Sequence, residues 1–399
     1  MRLGVYADFA YRRTDRGLET DQAFVLFAAA LRTHVDRLVL IGRLDTSRER
    51  WHYRVPDDVG FAALPHYVSL SEPAVALRAA ARTIRAFWRA LDGLDAVWLL
   101  GPHPYSIVFA IVARARGRAV VLGVRQRLPD YVRHRHPGRR GLLAAAVSLE
   151  AAFRTQALAL PVVAVGPDIA RAYRRGRRLL AVPVSLVTHA DAARSPAARR
   201  WDGQLTALSV GRLDAEKNPL LLADVLAALD DCWRLSVCGD GALAGDLAAR
   251  LARLGVAERA DLRGYVALDG GLRDAYDTAH ALLHVSWTEG FPQVLLEAFA
   301  AGLPVVATDV GGVRDLAAGA ALLVPPGDAR GAAAALERLR ADAALRERLV
   351  AAGRAIAAEH TLDATAGRVA AFIAAEARLR SRGGAEGSRA RASDPGGRR

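Results

Sequence analysis

A chain of 399 residues is longer than one domain commonly runs, and its 52% hydrophobic content with only 6% aromatics suits helices packed on parallel sheets and excludes disorder for the body. The formal charge of +13 is uneven: residues 1–200 carry +16 and residues 201–399 carry −3, so the first half is the one suited to an anionic partner. Two cysteines, Cys232 and Cys238, offer no disulfide framework or cysteine metal site, and no apolar run reaches the roughly 18 residues of a membrane span.

The N-terminus enters a strand directly, without the hydrophobic region of a signal peptide, so a cytoplasmic protein is expected. Short apolar runs at residues 3–7, 37–41, 96–100, 119–124 and 162–165 alternate with helical patterns, the signature of βαβ units. They define a first domain over residues 1–190. Residues 183–200, rich in Ala, Ser, Pro and Arg, lack periodicity, and the interdomain connection is placed at 191–204. A second domain follows over 205–375, with strands expected at 205–210, 234–238, 260–263, 281–285, 304–307 and 321–324. Residues 381–399, with a charge of +3, read as a disordered basic tail.

Of the 55 Lys and Arg residues, Lys217 is the only lysine, and it closes the stretch Gly211-Arg212-Leu213-Asp214-Ala215-Glu216-Lys217-Asn218-Pro219. An ammonium is a compact point charge where guanidinium is a wide fork, so a lone lysine in an arginine background suits a seat too tight for the fork. A second segment, Glu289-Gly290-Phe291-Pro292-Gln293-Val294-Leu295-Leu296-Glu297, places two glutamates around the start of a helix. Unpaired backbone N–H groups and the positive end of the helix dipole make such a start an anion seat. Glu297 is expected about two turns into that helix. Both segments follow strands, so in a parallel sheet they share the ligand-binding edge. Two cations and a helix N-terminus there suit a diphosphate.

These stretches, with Val237-Cys238-Gly239-Asp240-Gly241, Ala307-Thr308-Asp309-Val310-Gly311-Gly312-Val313 and Val324-Pro325-Pro326-Gly327-Asp328, resemble the C-terminal domain of GT-B glycosyltransferases of family 4 over residues 205–375. The resemblance implies an α/β GT-B fold, two Rossmann-like doubly wound parallel-sheet domains facing across a cleft. It also implies retaining, metal-independent sugar transfer from a UDP or GDP donor to a glycan or lipid-linked acceptor, as in surface polysaccharide or glycolipid synthesis. By position, Arg212 and Lys217 would hold the diphosphate beside Gly211. Glu289 would face the donor sugar, and Gly290, Phe291 and Pro292 would form the helix-start seat. Glu297 would hold the ribose, and Tyr265 and Val266 would meet the base. No protein nucleophile, metal or cofactor is implied.

The first half departs from the family in two places. Its first loop, residues 14–20, has the single glycine Gly17 for close approach to phosphate. Where the family often has a histidine, Arg125-Gln126-Arg127 stand after the strand ending at residue 124. Arg125 could bind an anionic acceptor group, and His103 could supply the missing imidazole. A solvated Arg125 and a capping or packing His103 stand beside those readings. His134 and His136 fall in a basic loop, followed from Arg139-Arg140 by an apolar helix that either rests on anionic lipid at the inner face of the plasma membrane or is buried.

No nucleic-acid recognition pattern is present. Competing readings are a dinucleotide oxidoreductase, prompted by Gly239-x-Gly241, an epimerase or phosphorylase on the same fold, and a non-catalytic binding protein derived from it.

Overall fold

The computed structural model describes residues 1–45, 53–66, 73–136, 138–317 and 319–392. Among them the first sheet has nine strands: β1 (Arg2–Thr14), β2 (Gly17–Thr20), β3 (Arg37–Leu44), β4 (Tyr53–Arg54), β5 (Gly60–Leu64), β6 (Ala96–Gly101), β7 (Ala119–Val124), β8 (Val162–Val165) and β9 (Leu179–Val182). Its parallel part runs β5-β3-β1-β6-β7-β8-β9. The second sheet is wholly parallel and contains β10 (Leu205–Val210), β11 (Trp233–Cys238), β12 (Ala260–Leu262), β13 (Ala281–His284), β14 (Val305–Thr308) and β15 (Ala321–Val324), in the order β12-β11-β10-β13-β14-β15. The chain reverses its direction of travel once in each sheet, between β1 and β6 and between β10 and β13. Those reversals are the crevices where doubly wound folds bind ligands.

Side-chain alternation shows why both sheets are covered on both faces. In β6, Ala96, Trp98 and Leu100 enter one core while Val97 and Leu99 enter the other. In β13, Ala281 and Leu283 face one core of the second domain and Leu282 the other. Near-continuous apolar strands of this kind are stable only between two helical layers.

Beyond the unexpected strands β4, β5 and β9, three features differ from the sequence expectation. The first strand continues to Thr14, because Phe9 and Tyr11 keep the inward period through a stretch whose Asp and Arg residues mask it. It then turns back antiparallel, with Thr14 opposite Gly17, so residues 14–20 form a β hairpin and not a strand-to-helix loop. The basic segment containing His134 is the end of a helix, Leu128–Arg135, started by Pro129 and Asp130; Pro137 lies outside the described residues.

The third concerns the C-terminus. The helix Leu362–Ala392 returns to the first domain, where Ala366, Val369, Ala370 and Ile373 bury at helical spacing in the core of the first sheet. Glu376, only 4% exposed, meets Arg177 and Arg178 there. Residues 381–392, expected to lack structure, continue this helix; residues 393–399 lie outside the described residues.

The interdomain connection is also fastened. Arg199 donates to the carbonyls of Tyr276, Ala279, Ala301 and Gly302, satisfying backbone oxygens at the ends of two helices.

The glycines that prompted a dinucleotide reading have a packing cause. A Cβ on Gly239 would lie 1.8 Å from the Gly211 carbonyl oxygen, and one on Gly241 would lie 2.7 Å from the Leu213 carbonyl. They let the loop after β11 pass under the turn after β10. Gly241→Ala is therefore expected to cost about 1–3 kcal/mol in chemical denaturation through backbone overpacking. An unchanged unfolding midpoint would show that the two loops are not wedged together.

Candidate active site

β10 and β13 are adjacent at the reversal of the second sheet, so the turns that follow them face each other. The first runs from Gly211 through a short 3₁₀ turn, Ala215–Lys217, into the helix Leu220–Ala227. The second carries Glu289 into the helix Gln293–Ala300. The amide of Trp287 donates to the Glu216 carbonyl at 2.9 Å and ties the two turns together.

The centre of the site is one carboxylate oxygen. Glu289 Oε1 accepts from Lys217 Nζ at 2.5 Å and from Ser286 Oγ at 2.7 Å, and lies 2.9 Å from His284 Nε2. Burial by itself would raise the Glu289 carboxyl; the Lys217 charge and the bond to His284 outweigh it and hold the group well below the usual carboxylate range. All three contacts fall on Oε1. Sequence reasoning missed His284 and Ser286. The available signal was a histidine and a serine two apart at the end of an otherwise apolar strand.

Two cavities meet at this pair. One, of about 220 Å³, is lined by Gly211, Arg212, Lys217, His284, Glu289 and Pro292, among others. The other, of about 680 Å³, is the interdomain cleft: Arg212, Lys217 and Glu289 line one side, and Arg127, Tyr131 and Arg154 of the first domain line the other. Arg212 is half exposed and spreads its fork over Asp214 and Glu216, the latter at 2.7 Å. The amides of Gly290 and Phe291 have no protein acceptor among the described residues. The Gly290 carbonyl abuts the first domain, since a Cβ on Gly166 would come within 2.7 Å of its oxygen; within the second domain one on Gly312 would come within 2.6 Å.

The structure therefore brings Gly211, Arg212, Lys217, Glu289, Gly290, Phe291 and Pro292 together. Glu297 lies one turn into its helix, not two, because the helix begins at Gln293. It accepts from the Tyr276 hydroxyl at 2.7 Å and lines a separate small cavity with Asp191, Arg194 and Arg273, not either of the two at the Lys217–Glu289 pair. Tyr265 is 42% exposed and hydrogen-bonds Tyr53 of the first domain, and Val266 packs on the second-domain core. Burial, with that bond, pushes the Tyr53 phenol up.

The acceptor-side candidates stand elsewhere. Arg125 is stacked over Phe24 at 4.4 Å and over Phe9 at 5.1 Å, and burial lowers it to about 10, so its charge is engaged with aromatic faces. His103 caps the helix Pro104–Ala115, accepting from the Tyr105 amide, with Nε2 3.3 Å from Asp8. Burial lowers its imidazole against the opposing pull of Asp8. Gly17, in its hairpin, adjoins Arg54 and Asp57 and lines neither cavity.

Glu297 gives a pH-dependent expectation. Burial raises its carboxyl, the Tyr276 bond opposing and Asp191 adding to the rise. The folded state then holds the proton to higher pH than the unfolded state, so the charged form costs stability at neutral pH and the cost disappears below the unfolded value of about 4.3. Glu297→Gln, which can still accept from Tyr276, is expected to raise the Tm at pH 7 by roughly 2–4 °C, with the gap closing below about pH 4.5. Thermal melts of both proteins across pH check this, and a gap that widened in acid would reverse the assignment.

Residues 204–342 match the family model described as glycosyl transferases group 1. A GDP-mannose-dependent alpha-mannosyltransferase of Mycolicibacterium smegmatis is 37% identical over 153 residues, 38% of this chain and 37% of that one. An N-acetylgalactosamine-N,N'-diacetylbacillosaminyl-diphospho-undecaprenol 4-alpha-N-acetylgalactosaminyltransferase of Campylobacter jejuni is 36% identical over 110 residues, 27% of this chain and 29% of that one. The chain thus matches about a third of the length of these relatives. The fold extends further: sucrose-phosphate synthase from Thermosynechococcus elongatus superposes with a TM-score of 0.73 at 17% identity over 93% of this chain and 98% of its own. Anabaena HepE in complex with UDP does so at 0.69 and 16%, over 94% and 100%. Residues 204–342 are thus similar to glycosyl transferases group 1, and the two domains together have the GT-B architecture.

Proposed function

We propose that this protein is a retaining glycosyltransferase that moves a sugar from a nucleotide diphosphate donor to a glycan or lipid-linked acceptor in the synthesis of a surface polysaccharide or glycolipid. The observation that carries the reading is the Lys217–Glu289 pair at the junction of the two cavities, on the sheet reversal of a group 1 glycosyl transferase domain. An ammonium has three donors, so Lys217 can keep its bond to Glu289 and still donate to a phosphate oxygen. Arg212 supplies the second charge, and the Gly290 and Phe291 amides supply neutral donors. Glu289 faces the sugar, Glu297 the ribose, and Tyr265 with Val266 the base. Charge grows on the departing nucleotide as the glycosidic bond breaks, so these cations stabilise the transition state more than the ground state. No resident metal and no protein nucleophile are assigned.

Supporting the substrate class, the Mycolicibacterium relative is named for a GDP-mannose donor and the Campylobacter relative for a diphospho-undecaprenol acceptor. The test is transfer or donor hydrolysis across UDP and GDP sugars in the presence of EDTA. Lys217→Ala should abolish it, and Lys217→Arg, which keeps the charge but misplaces it, should lower kcat on the order of 10-fold or more. Wild-type turnover by the arginine variant, or product formed only with inorganic phosphate, would overturn the assignment, the latter in favour of a phosphorylase.

We also propose peripheral contact with an anionic membrane through the helix Arg140–Ala157. No helix among the described residues is long and apolar enough to cross a membrane. This one buries Ala146, Glu150, Phe153 and Ala157, and it exposes Leu142 (41%) at the N-terminal end of that stripe and Val147 (50%) beside it, behind the exposed Arg139 and Arg140. Basic residues flanking exposed apolar ones suit an anionic interface. The protein should float with phosphatidylcholine vesicles containing phosphatidylglycerol at low salt, and Leu142→Glu with Val147→Glu should leave it in solution. A wild-type protein that stayed in solution would sink this contact.

A further inference from the structure

Beyond the donor seat lies a second cavity, of about 360 Å³, formed by the end of the helix Arg140–Ala157 and the segment 171–176. Arg154, Arg171, Arg174 and Arg175 line it, and no Asp or Glu does. Arg154 and Arg171 also line the interdomain cleft, so the two spaces share a wall.

The four arginines are not equivalent. Arg171 is engaged by Asp168 and, across the domain boundary, by Asp315. Arg154 is held in place by donating to the Ala172 carbonyl at 2.6 Å and lies 5.8 Å over the Tyr173 ring. Tyr173 is itself fixed by a 2.8 Å bond to the buried Glu150. Arg174 and Arg175 are exposed and have no carboxylate partner among the described residues. Neighbouring guanidinium groups without counter-charges repel, and a bound polyanion relieves that repulsion while gaining charge-assisted hydrogen bonds. A guanidinium oriented in advance loses less entropy on binding.

We propose that this cavity is the anchoring subsite for a phosphate or diphosphate carried by the acceptor, held by Arg154, Arg174 and Arg175 while the acceptor hydroxyl reaches past Arg171 into the cleft toward Glu289. The assignment rests on the glycosyltransferase reading and adds to it the charge of the acceptor and where that charge is bound. Arg125 has no part in it, since its guanidinium is stacked on Phe9 and Phe24.

The test uses the full chain saturated with UDP, so that the donor seat is occupied, and titrates inorganic pyrophosphate by calorimetry. Wild type should bind, and Arg174→Ala with Arg175→Ala should bind on the order of 10-fold or more weakly with an unchanged Tm. Lys217→Ala should bind as wild type, because the subsite excludes that residue. Pyrophosphate affinity unaffected by the double substitution, or absent in the UDP-saturated wild type, would overturn the subsite. UDP binding, read separately from the thermal shift it causes, would still report on the donor reading. Farnesyl diphosphate identifies the source: binding 10-fold tighter than pyrophosphate and weakened by the same substitutions supports a lipid-borne diphosphate, and equal binding with the same loss supports the anion alone.

Discussion

The geometry of the donor side depends on one buried oxygen, Glu289 Oε1. A carboxylate this enclosed would shed its charge unless compensated, and the compensation comes from three side chains on two separate turns. Lys217 arrives from the turn after β10, and His284 and Ser286 from the end of β13. Holding that oxygen therefore fixes the two turns relative to each other at the reversal of the sheet. The backbone bond from Trp287 to Glu216 repeats the same constraint. His284 Nδ1 is buried without a partner among the described residues, so the imidazole is placed through Nε2, by its contacts with Glu289 and Ser286.

The cleft and the first-domain cavity beside it differ electrostatically. On the proposed donor side each cation already meets carboxylates, Arg212 with Asp214 and Glu216 and Lys217 with Glu289, so an incoming diphosphate would meet groups held in place but partly neutralised. Across the cleft Arg127 and Arg171 are likewise paired, whereas in the neighbouring cavity Arg174 and Arg175 have no carboxylate partner among the described residues. This division follows the distribution of charge along the chain, +16 against −3. The lone lysine belongs on the crowded side. A guanidinium at that position would have to place a rigid fork where Ser286 and His284 already occupy the same oxygen.

The parallel strands were legible because burial on both faces leaves long apolar runs, and the cleft residues because both turns follow such strands. What escaped detection did so for physical reasons. The extension of β1 is written in Phe9 and Tyr11, but the intervening Asp8, Arg12 and Arg13 break the apolar run that marks a buried strand. His284 is a lone polar residue in an apolar strand, and its role exists only once the chain brings Glu289 back beside it. Arg125 reads as a solvated or ligand-binding cation until the rings of Phe9 and Phe24, more than 100 positions earlier, are placed under it. Glu297 was located on the right helix, and the helix start was misjudged by a turn because Pro292 ends the loop instead of opening the helix.

The donor seat and the acceptor wall also differ in how firmly they are held together. Within the second domain the seat is fixed by buried, charge-assisted bonds and by the glycine-lined passage under Gly211–Leu213. Between the domains the links near the cleft are polar and partly exposed, Arg171 with Asp315 and Tyr53 with Tyr265, and such contacts are worth on the order of 0–1 kcal/mol each. Around Gly290 the domains also meet through backbone, the Gly166 backbone lying against the Gly290 carbonyl and the Arg125 carbonyl beside its Cα. Interfaces of that kind permit relative motion of domains. The stronger ties are the C-terminal helix that returns to the first core and the connection that Arg199 pins to the second domain. In the proposed reading, a preformed donor seat facing a wall held by weak links would let the cleft adjust to the acceptor without disturbing the groups that would stabilise the departing nucleotide.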